Sequence, residues 1–321
     1  MDINQILENI ENSYSGQKLE IKSVAYDSRK VLSDSLFVAI KGLEYDGHEY
    51  IFNAIDKGAL AIIASKTDIC DAPVPIIQVK DTRKALSKLS ANFYNQPSKN
   101  INTIGVTGTN GKTTTCYIIN SIFNSNGLNS GSIGTLGFMS SSNIINTGYT
   151  TPESLELHSF LDNLIKCRIG NVVMEASSHA LAQHRLDDVE VDTAVYTNLS
   201  QDHLDFHHDM ESYFSEKLKL FSSLKSSSSA VINIDDKYST KIIDNTSASI
   251  YTYGFNASAD IYPVNINYSY NSIDATLSIF NDRYRLKSYL SGKHNIYNIM
   301  AAIHVALINK LPIEDIIKSI K

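Results

Sequence analysis

The chain has 321 residues, 43% of them hydrophobic and 19% charged, with a formal net charge of −6. That balance excludes a disordered polymer and a broad nucleic-acid-binding face, while leaving room for a local basic pocket that takes a small anion. Cys70, Cys116 and Cys167 are odd in number, far apart and without metal-ligand spacing, and neither a signal peptide nor a stretch of membrane-spanning length is present. A soluble cytoplasmic monomer with reduced thiols is the expectation, without nucleic-acid or membrane partners.

The length allows two domains. From residue 1 to 98, short strands at Leu19–Ala25, Ser35–Ile40, Ala59–Ala64 and Pro75–Val79 are predicted to alternate with helices near Ile3–Ile10, Tyr50–Lys57 and Arg83–Tyr94. This describes a small α/β domain. Asn95-Gln96-Pro97-Ser98-Lys99-Asn100 carries turn residues without periodicity and reads as a linker. From 99 to 321, apolar strands at Ile101–Val106, Asn171–Met174, Asp192–Tyr196 and Ala230–Ile234 alternate with helices at Thr113–Asn126, Pro152–Arg168 and Asp209–Leu224. The fold class is therefore α/β, with a doubly wound, mostly parallel sheet in the second domain. Between Ser249 and Leu290 the period changes to two, which predicts appended antiparallel strands. A helix over His294–Ile308 follows, and the serine-rich stretch Ser222–Ser229 reads as a loop.

Chemistry concentrates at Gly105-Val106-Thr107-Gly108-Thr109-Asn110-Gly111-Lys112-Thr113-Thr114-Thr115. A strand, a glycine-rich turn, Gly-Lys-Thr and a helix in that order make a phosphate-binding loop. Its backbone N–H groups turn onto phosphate oxygens, Lys112 adds a positive charge, and the Thr113 hydroxyl ligates Mg²⁺. The strict spacing would require glycine at Val106, so the loop is a variant of the motif.

Glu175 follows an apolar strand and so falls at a carboxyl end of the sheet, beside the nucleotide crevice; it is a metal ligand or a helix N-cap. Thr197-Asn198-Leu199-Ser200-Gln201-Asp202-His203-Leu204-Asp205-Phe206-His207-His208 places histidines and aspartates at another strand end. There His203 is a candidate metal ligand or part of a solvated loop. In Glu175-Ala176-Ser177-Ser178-His179-Ala180-Leu181-Ala182-Gln183-His184-Arg185, the arginine suits an anionic oxygen pair or a surface salt bridge. Thr150-Thr151-Pro152 reads as a helix start, Lys217 as a surface lysine, and Ser28 as a turn residue.

Together these segments resemble the ATP-dependent Mur ligases of peptidoglycan precursor synthesis, most closely those of MurE type. GVTGTNGKTTT, Tyr149-Thr150-Thr151-Pro152, EASSHALAQHR, TNLSQDHLDFHHDMESYF and Ser291-Gly292-Lys293-His294-Asn295-Ile296-Tyr297-Asn298 occur in the family's order over nearly the whole chain. The resemblance implies that residues 1–98 hold the uridine nucleotide end of the substrate, with Ser28 in contact. It implies that Thr150, Thr151, Ser177, Gln183 and Arg185 hold the muramoyl-peptide. Gly108, Thr109, Asn110, Gly111, Lys112, Thr113, Thr114, Asn295 and Asn298 would bind ATP, the asparagines lying near adenine.

Lys217 falls where the family carries a lysine carbamylated by CO₂. Catalytic roles then fall on Lys112, Glu175, His203 and Lys217, and Mg²⁺ ligation on Thr113, Glu175, His203 and the Lys217 carbamate. The implied reaction joins a diamino acid, expected to be meso-diaminopimelate rather than L-lysine, to UDP-N-acetylmuramoyl-L-alanyl-D-glutamate. The family's acceptor-selecting C-terminal domain and its Asn-Pro-Arg signature have no counterpart in these residues. The chain is thus expected to be a fragment that binds ATP and the UDP substrate without completing ligation. A folylpolyglutamate-synthase type or D-alanyl-D-alanine-adding ligase and a noncatalytic nucleotide-binding module are the alternatives; EASSHALAQHR beside Thr-Thr-Pro favours the MurE type.

Overall fold

The computed structural model describes the whole chain except residues 43–44, 67–68, 70, 141–143, 146–147, 149 and 321, so Cys70 and Tyr149 lie outside the described residues. It divides into two compact units that are not contiguous in sequence. One comprises Met1–Pro97 with Glu153–Asp162 and Gln183–Val189, and the other Ser98–Pro152, Asn163–Ala182 and Glu190–Lys321.

The first unit opens with α1 (Ile3–Ile6) and continues through β1 (Ser23–Ala25), β2 (Ser35–Val38), α2 (Ile51–Asp56), β3 (Ala59–Ala64), β4 (Ile76–Gln78) and α3 (Thr82–Phe93). Its strands form a parallel sheet in the order β1-β2-β3-β4. Alternation along β2 and β3 feeds two cores. Leu36, Val38, Ala61 and Ile63 pack with Ile3, Ile6, Leu86 and Leu89. Phe37, Ala39, Ile62 and Ala64 pack with Ile51 and Ala54 on the other side. A sheet buried on both faces reads as unbroken apolar runs, which is why β2 and β3 were legible.

Two predicted bounds are too long. The first helix stops at Ile6, with Asn9 in a left-handed conformation. Residues 19–22 do not extend β1: Ile21 N donates to Met1 O and Ile3 N to Leu19 O, so this stretch pairs with the N-terminus. Within the same unit, Glu153 joins Arg83 and Arg185, and Lys88 pairs with Asp188 at 2.6 Å.

The second unit runs β5 (Asn102–Thr107), α4 (Lys112–Ser125), β6 (Ser130–Gly134), β7 (Gly137–Met139), β8 (Ile144–Ile145), α5 (Ser154–Lys166, its first part in the other unit), β9 (Asn171–Glu175) and α6 (Ser178–Ala182). It continues with β10 (Thr193–Tyr196), α7 (Leu204–His207), α8 (Met210–Ser222), β11 (Ser229–Asn233), α9 (Ser239–Asp244), β12 (Ser249–Tyr253), β13 (Ile261–Ser269), β14 (Ser272–Ile279), β15 (Asp282–Ser288), α10 (Lys293–Ile308) and α11 (Ile313–Ser319). The eleven strands form one sheet, β15-β14-β13-β12-β11-β10-β5-β9-β6-β7-β8. The stretch from β12 to β6 is parallel, as the alternation of strands and helices requires.

The expectation of antiparallel strands from Ser249 onward holds for β13–β15 and fails for β12, which runs parallel to β11 along its full length. The odd spacing from Ile261 to Ile266 is absorbed by a bulge between Pro263 and Asn265, leaving Val264 exposed while Ile266 returns to the core. Strand β6, Ser-Gly-Ser-Ile-Gly, has no apolar signature, yet it is buried between β9 and β7. The predicted linker contains a 3-10 turn at Pro97–Asn100, whose buried Ser98 Oγ accepts from Glu190 N.

His158 in the first unit is fully buried, and among the described residues neither of its ring nitrogens has a hydrogen-bond partner. Burial pushes its pKa from the ordinary 6.5 down to about 4. The neutral ring is the folded form, so the unfolded chain takes up the proton first. Stability from this site is full above pH 6.5 and is lost as pH falls toward 4, amounting to roughly 3 kcal/mol. Urea unfolding followed from pH 7 to pH 4 should show a shallower fall for His158→Leu than for the unaltered chain; identical slopes would refute the assignment.

Candidate active site

The loop between β5 and α4 is clamped from both sides. Gly108 (φ +145°) and Gly111 (φ +88°) occupy left-handed regions that disfavour side chains. A Cβ on Gly108 would collide with Thr197 Oγ1, and one on Gly111 would lie 2.5 Å from Asn298 Oδ1. Asn198 O accepts from Thr109 N at 2.8 Å, Asn198 Oδ1 accepts from Asn110 N at 3.1 Å, and Thr197 Oγ1 donates to Asn110 O at 2.6 Å. Thr197 and Asn198 are therefore the loop's own scaffold, a role the sequence did not disclose.

On the other side, Asn298 Oδ1 accepts from Thr115 Oγ1 and its Nδ2 donates to Asn295 Oδ1. The two asparagines expected near adenine are buried and brace the loop from α10, with the Asn298 amide engaged at both ends. A cavity of about 360 Å³ lies along α4 beside Thr113 and Thr114, lined also by Tyr117, Leu136, Ser288 and Leu290.

Two lysines converge on one carbonyl. Lys112 Nζ donates to Gly108 O at 2.9 Å and Thr109 O at 2.8 Å, and Lys217 Nζ donates to the same Gly108 O at 2.9 Å. The surface reading of Lys217 is wrong: the residue is 1% exposed. The buried face of α8 is Tyr213, Phe214, Lys217, Leu220 and Phe221, a helical stripe in which the lysine replaces an apolar residue. That position in the stripe was the available signal. Desolvation, reinforced by Lys112, holds the Lys217 amine well below the usual lysine range; burial lowers Lys112 also, opposed by Glu175.

Glu175 sits at the end of β9, buried, and its carboxylate accepts from Thr113 Oγ1 at 2.9 Å and from Thr135 N at 2.8 Å. It is not the cap of α6, because Ser177 Oγ accepts from Ala180 N instead. Hydroxyl and carboxylate oxygens at the start of a phosphate loop are the hard donors that Mg²⁺ takes, with water and phosphate completing its shell. Gly134 makes room for this carboxylate, since a Cβ there would collide with Glu175 Oε1.

Thr151 Oγ1 donates to Glu175 O at 2.6 Å and lies 3.2 Å from Ser177 Oγ, while Thr150 Oγ1 accepts from Thr135 Oγ1 at 3.3 Å. The structure thus brings Thr150, Thr151 and Ser177 to Glu175. Thr135 and Gly134 were missed because their part depends on where β6 ends.

His203 is half-exposed, with a left-handed backbone (φ +51°), and its ring packs edge-on against His179 at 4.8 Å. His207 is buried, with Nε2 2.9 Å from Ser178 Oγ. Among the described residues, no three His, Cys, Asp or Glu side chains are gathered closely enough to hold a metal by themselves. In the first unit, Arg185 pairs with Glu153 at 2.9 Å and donates to Gln183 Oε1, so the carboxylate it meets is the chain's own. Ser28 is buried, and its carbonyl accepts from Lys57 Nζ.

Residues 106–306 match the Mur ligase middle domain and residues 20–94 the Mur ligase family catalytic domain. The chain belongs to the Mur ligase family. It is 39% identical over 318 residues to the UDP-N-acetylmuramoyl-L-alanyl-D-glutamate–2,6-diaminopimelate ligase of Caldanaerobacter subterraneus subsp. tengcongensis, covering 98% of this chain and 65% of that protein. The ligase of the same name from Clostridium botulinum is 39% identical, with 98% and 66% covered. A solved structure of a ligase of that name superposes with a TM-score of 0.85 at 27% identity, covering 99% of this chain and 66% of the other. The chain thus spans about two thirds of the length of these Mur ligases. Among the described residues, no helix is long and apolar enough to cross a membrane.

Gly134→Ala should overpack the Glu175 pocket, lowering stability by about 1–3 kcal/mol and weakening Mg²⁺-dependent nucleotide binding. Calorimetric titration of Mg-ADP into the variant checks this, and unchanged affinity would show that the carboxylate's position does not matter.

Proposed function

We propose that this chain supplies the nucleotide-binding and UDP-substrate-binding parts of an ATP-dependent ligase. The enzyme adds a diamino acid, meso-diaminopimelate by similarity to its relatives, to UDP-N-acetylmuramoyl-L-alanyl-D-glutamate in the cytoplasm. The observation that carries the reading is the Lys112–Thr113–Glu175 arrangement. A cation and a hydroxyl–carboxylate pair meet at the mouth of a glycine loop clamped into one shape.

In this reading the substrate carboxylate attacks the γ-phosphorus and ADP leaves. The acceptor amine then attacks the acyl phosphate and inorganic phosphate leaves, giving the amide. Two anions must approach in the first step, so the protein's part is positioning and charge neutralisation. Mg²⁺, when bound, offsets phosphate charge. Thr113 and Glu175 would hold it, with His203 and a carbamylated Lys217 proposed for a second ion.

Lys112 would leave the Gly108 and Thr109 carbonyls for phosphate oxygens. Burial lowers the Lys217 pKa and so favours the neutral, nucleophilic amine that CO₂ requires, which supports carbamate formation there. Asn295 and Asn298 would keep the loop in its binding shape, and the cavity of about 360 Å³ beside Thr114 is proposed to take the nucleoside. Ser28, Gln183, Arg185, Thr150, Thr151 and Ser177 are each proposed as contacts to the UDP-dipeptide, with Arg185 exchanging Glu153 for a substrate carboxylate.

With Mg-ATP, meso-diaminopimelate and a UDP-dipeptide ¹⁸O-labelled in its glutamyl carboxylate, the ligase should release labelled inorganic phosphate. Phosphate free of label would contradict the acyl-phosphate route. Lys112→Ala should weaken ATP binding by about tenfold or more, the worth of charge-assisted hydrogen bonds.

A further inference from the structure

Tyr213 stands one helical turn before Lys217 on α8 and is 1% exposed. Its hydroxyl lies 3.2 Å from Thr109 Oγ1 in the phosphate loop. Ser178 Oγ, at the start of α6, lies 2.9 Å from His207 Nε2. The face of the ring carries Lys217 Nζ at 4.5 Å from its centroid, and the His207 ring packs against it at 4.9 Å. The phosphate loop, the histidine cluster and Lys217 therefore meet at one side chain. Thr109 Oγ1 has a second tie, accepting from Ser200 N at 3.0 Å, so the loop is held from two directions.

Filling this space does not require a phenol. Phenylalanine has the same ring, and burying a hydroxyl costs free energy unless it is hydrogen-bonded. Burial raises the Tyr213 pKa, so the group stays a neutral donor and acceptor at physiological pH.

We propose that Tyr213 is a positioning residue of the nucleotide site: its hydroxyl ties the phosphate loop at Thr109 to α8, and its ring face, packed on His207, is the wall against which Lys217 reaches the Gly108 carbonyl. This rests on the reading that the loop binds nucleotide. Its consequence is that one residue outside the proposed phosphate and metal ligands contributes to both loop shape and Lys217 placement. The neighbouring loop amides remain on Asn198 when the hydroxyl is removed, so the fold survives while the loop loosens.

The test is a double-mutant cycle on this chain, read by calorimetric binding of Mg-ADP. Tyr213→Phe should weaken binding by about five- to tenfold, the scale of one lost buried hydrogen bond, and Thr109→Val by at least as much, since it also loses the Ser200 contacts. The double variant should be no weaker than the weaker single variant, because both remove the same tie. Thr109→Ser, which keeps the hydroxyl, should restore most of the affinity, and the melting temperature of Tyr213→Phe should stay at the unaltered value. Should Tyr213→Phe not fold, the Thr109→Val and Thr109→Ser pair decides. A Tyr213→Phe chain with unaltered Mg-ADP affinity, or losses that add in the double variant, would overturn this proposal alone. Failure of the unaltered chain to bind Mg-ADP would overturn the nucleotide reading and this proposal with it.

Discussion

The Gly108 carbonyl oxygen accepts hydrogen bonds from two lysines that lie far apart in the sequence. Lys112 arrives from the first turn of α4 and Lys217 from the middle of α8, and both reach inward because Gly108 turns its carbonyl away from an ordinary strand path. Two like charges on one acceptor repel, and burial penalises each of them. Burial and Lys112 lower the Lys217 pKa well below the ordinary lysine range, further than burial lowers that of Lys112. The shape of the loop therefore sets where the two lysines meet.

Around that point the protein uses small residues to admit polar ones. Gly134 leaves space for the Glu175 carboxylate, Gly108 for Thr197, and Gly111 for Asn298. Each substitution of a Cβ for a hydrogen would displace a group that positions the loop. The β6 strand is built from serine and glycine for a related reason: a Cβ on Gly131 would crowd Leu164, while Gly134 abuts the carboxylate. Backbone freedom and close approach, rather than apolar burial, shape this part of the sheet.

These small residues mark where the sequence was legible and where it was not. The phosphate loop could be read directly, because glycine, lysine and threonine act within a few residues of one another. Strands β5, β9, β10 and β11 could be read because parallel strands buried on both faces are apolar throughout. β6 could not, since its burial is set by neighbours distant in sequence. The parallel course of β12 was hidden because period-two alternation does not report strand direction.

Ambiguities in the site resolved by the same logic. Glu175 could be a cap or a ligand on local grounds, and only the positions of Thr113 and Thr135 show that its carboxylate faces the loop. Thr197 and Asn198 were visible as letters, yet their task is tertiary. Taken by itself on a predicted helix, Lys217 reads as a surface residue, since lysines are rarely buried, and only the family resemblance gave it a role; the stripe of Tyr213, Phe214, Leu220 and Phe221 around it carried the signal of burial.

The central proposal is that Lys217, its pKa lowered by burial and by Lys112, captures CO₂. ¹³C NMR of the chain in ¹³C-labelled bicarbonate tests it most directly. The account predicts a carbamate resonance that is present in the unaltered chain and absent from Lys217→Ala. A spectrum without that resonance under saturating bicarbonate, from chain shown to be folded, would contradict it.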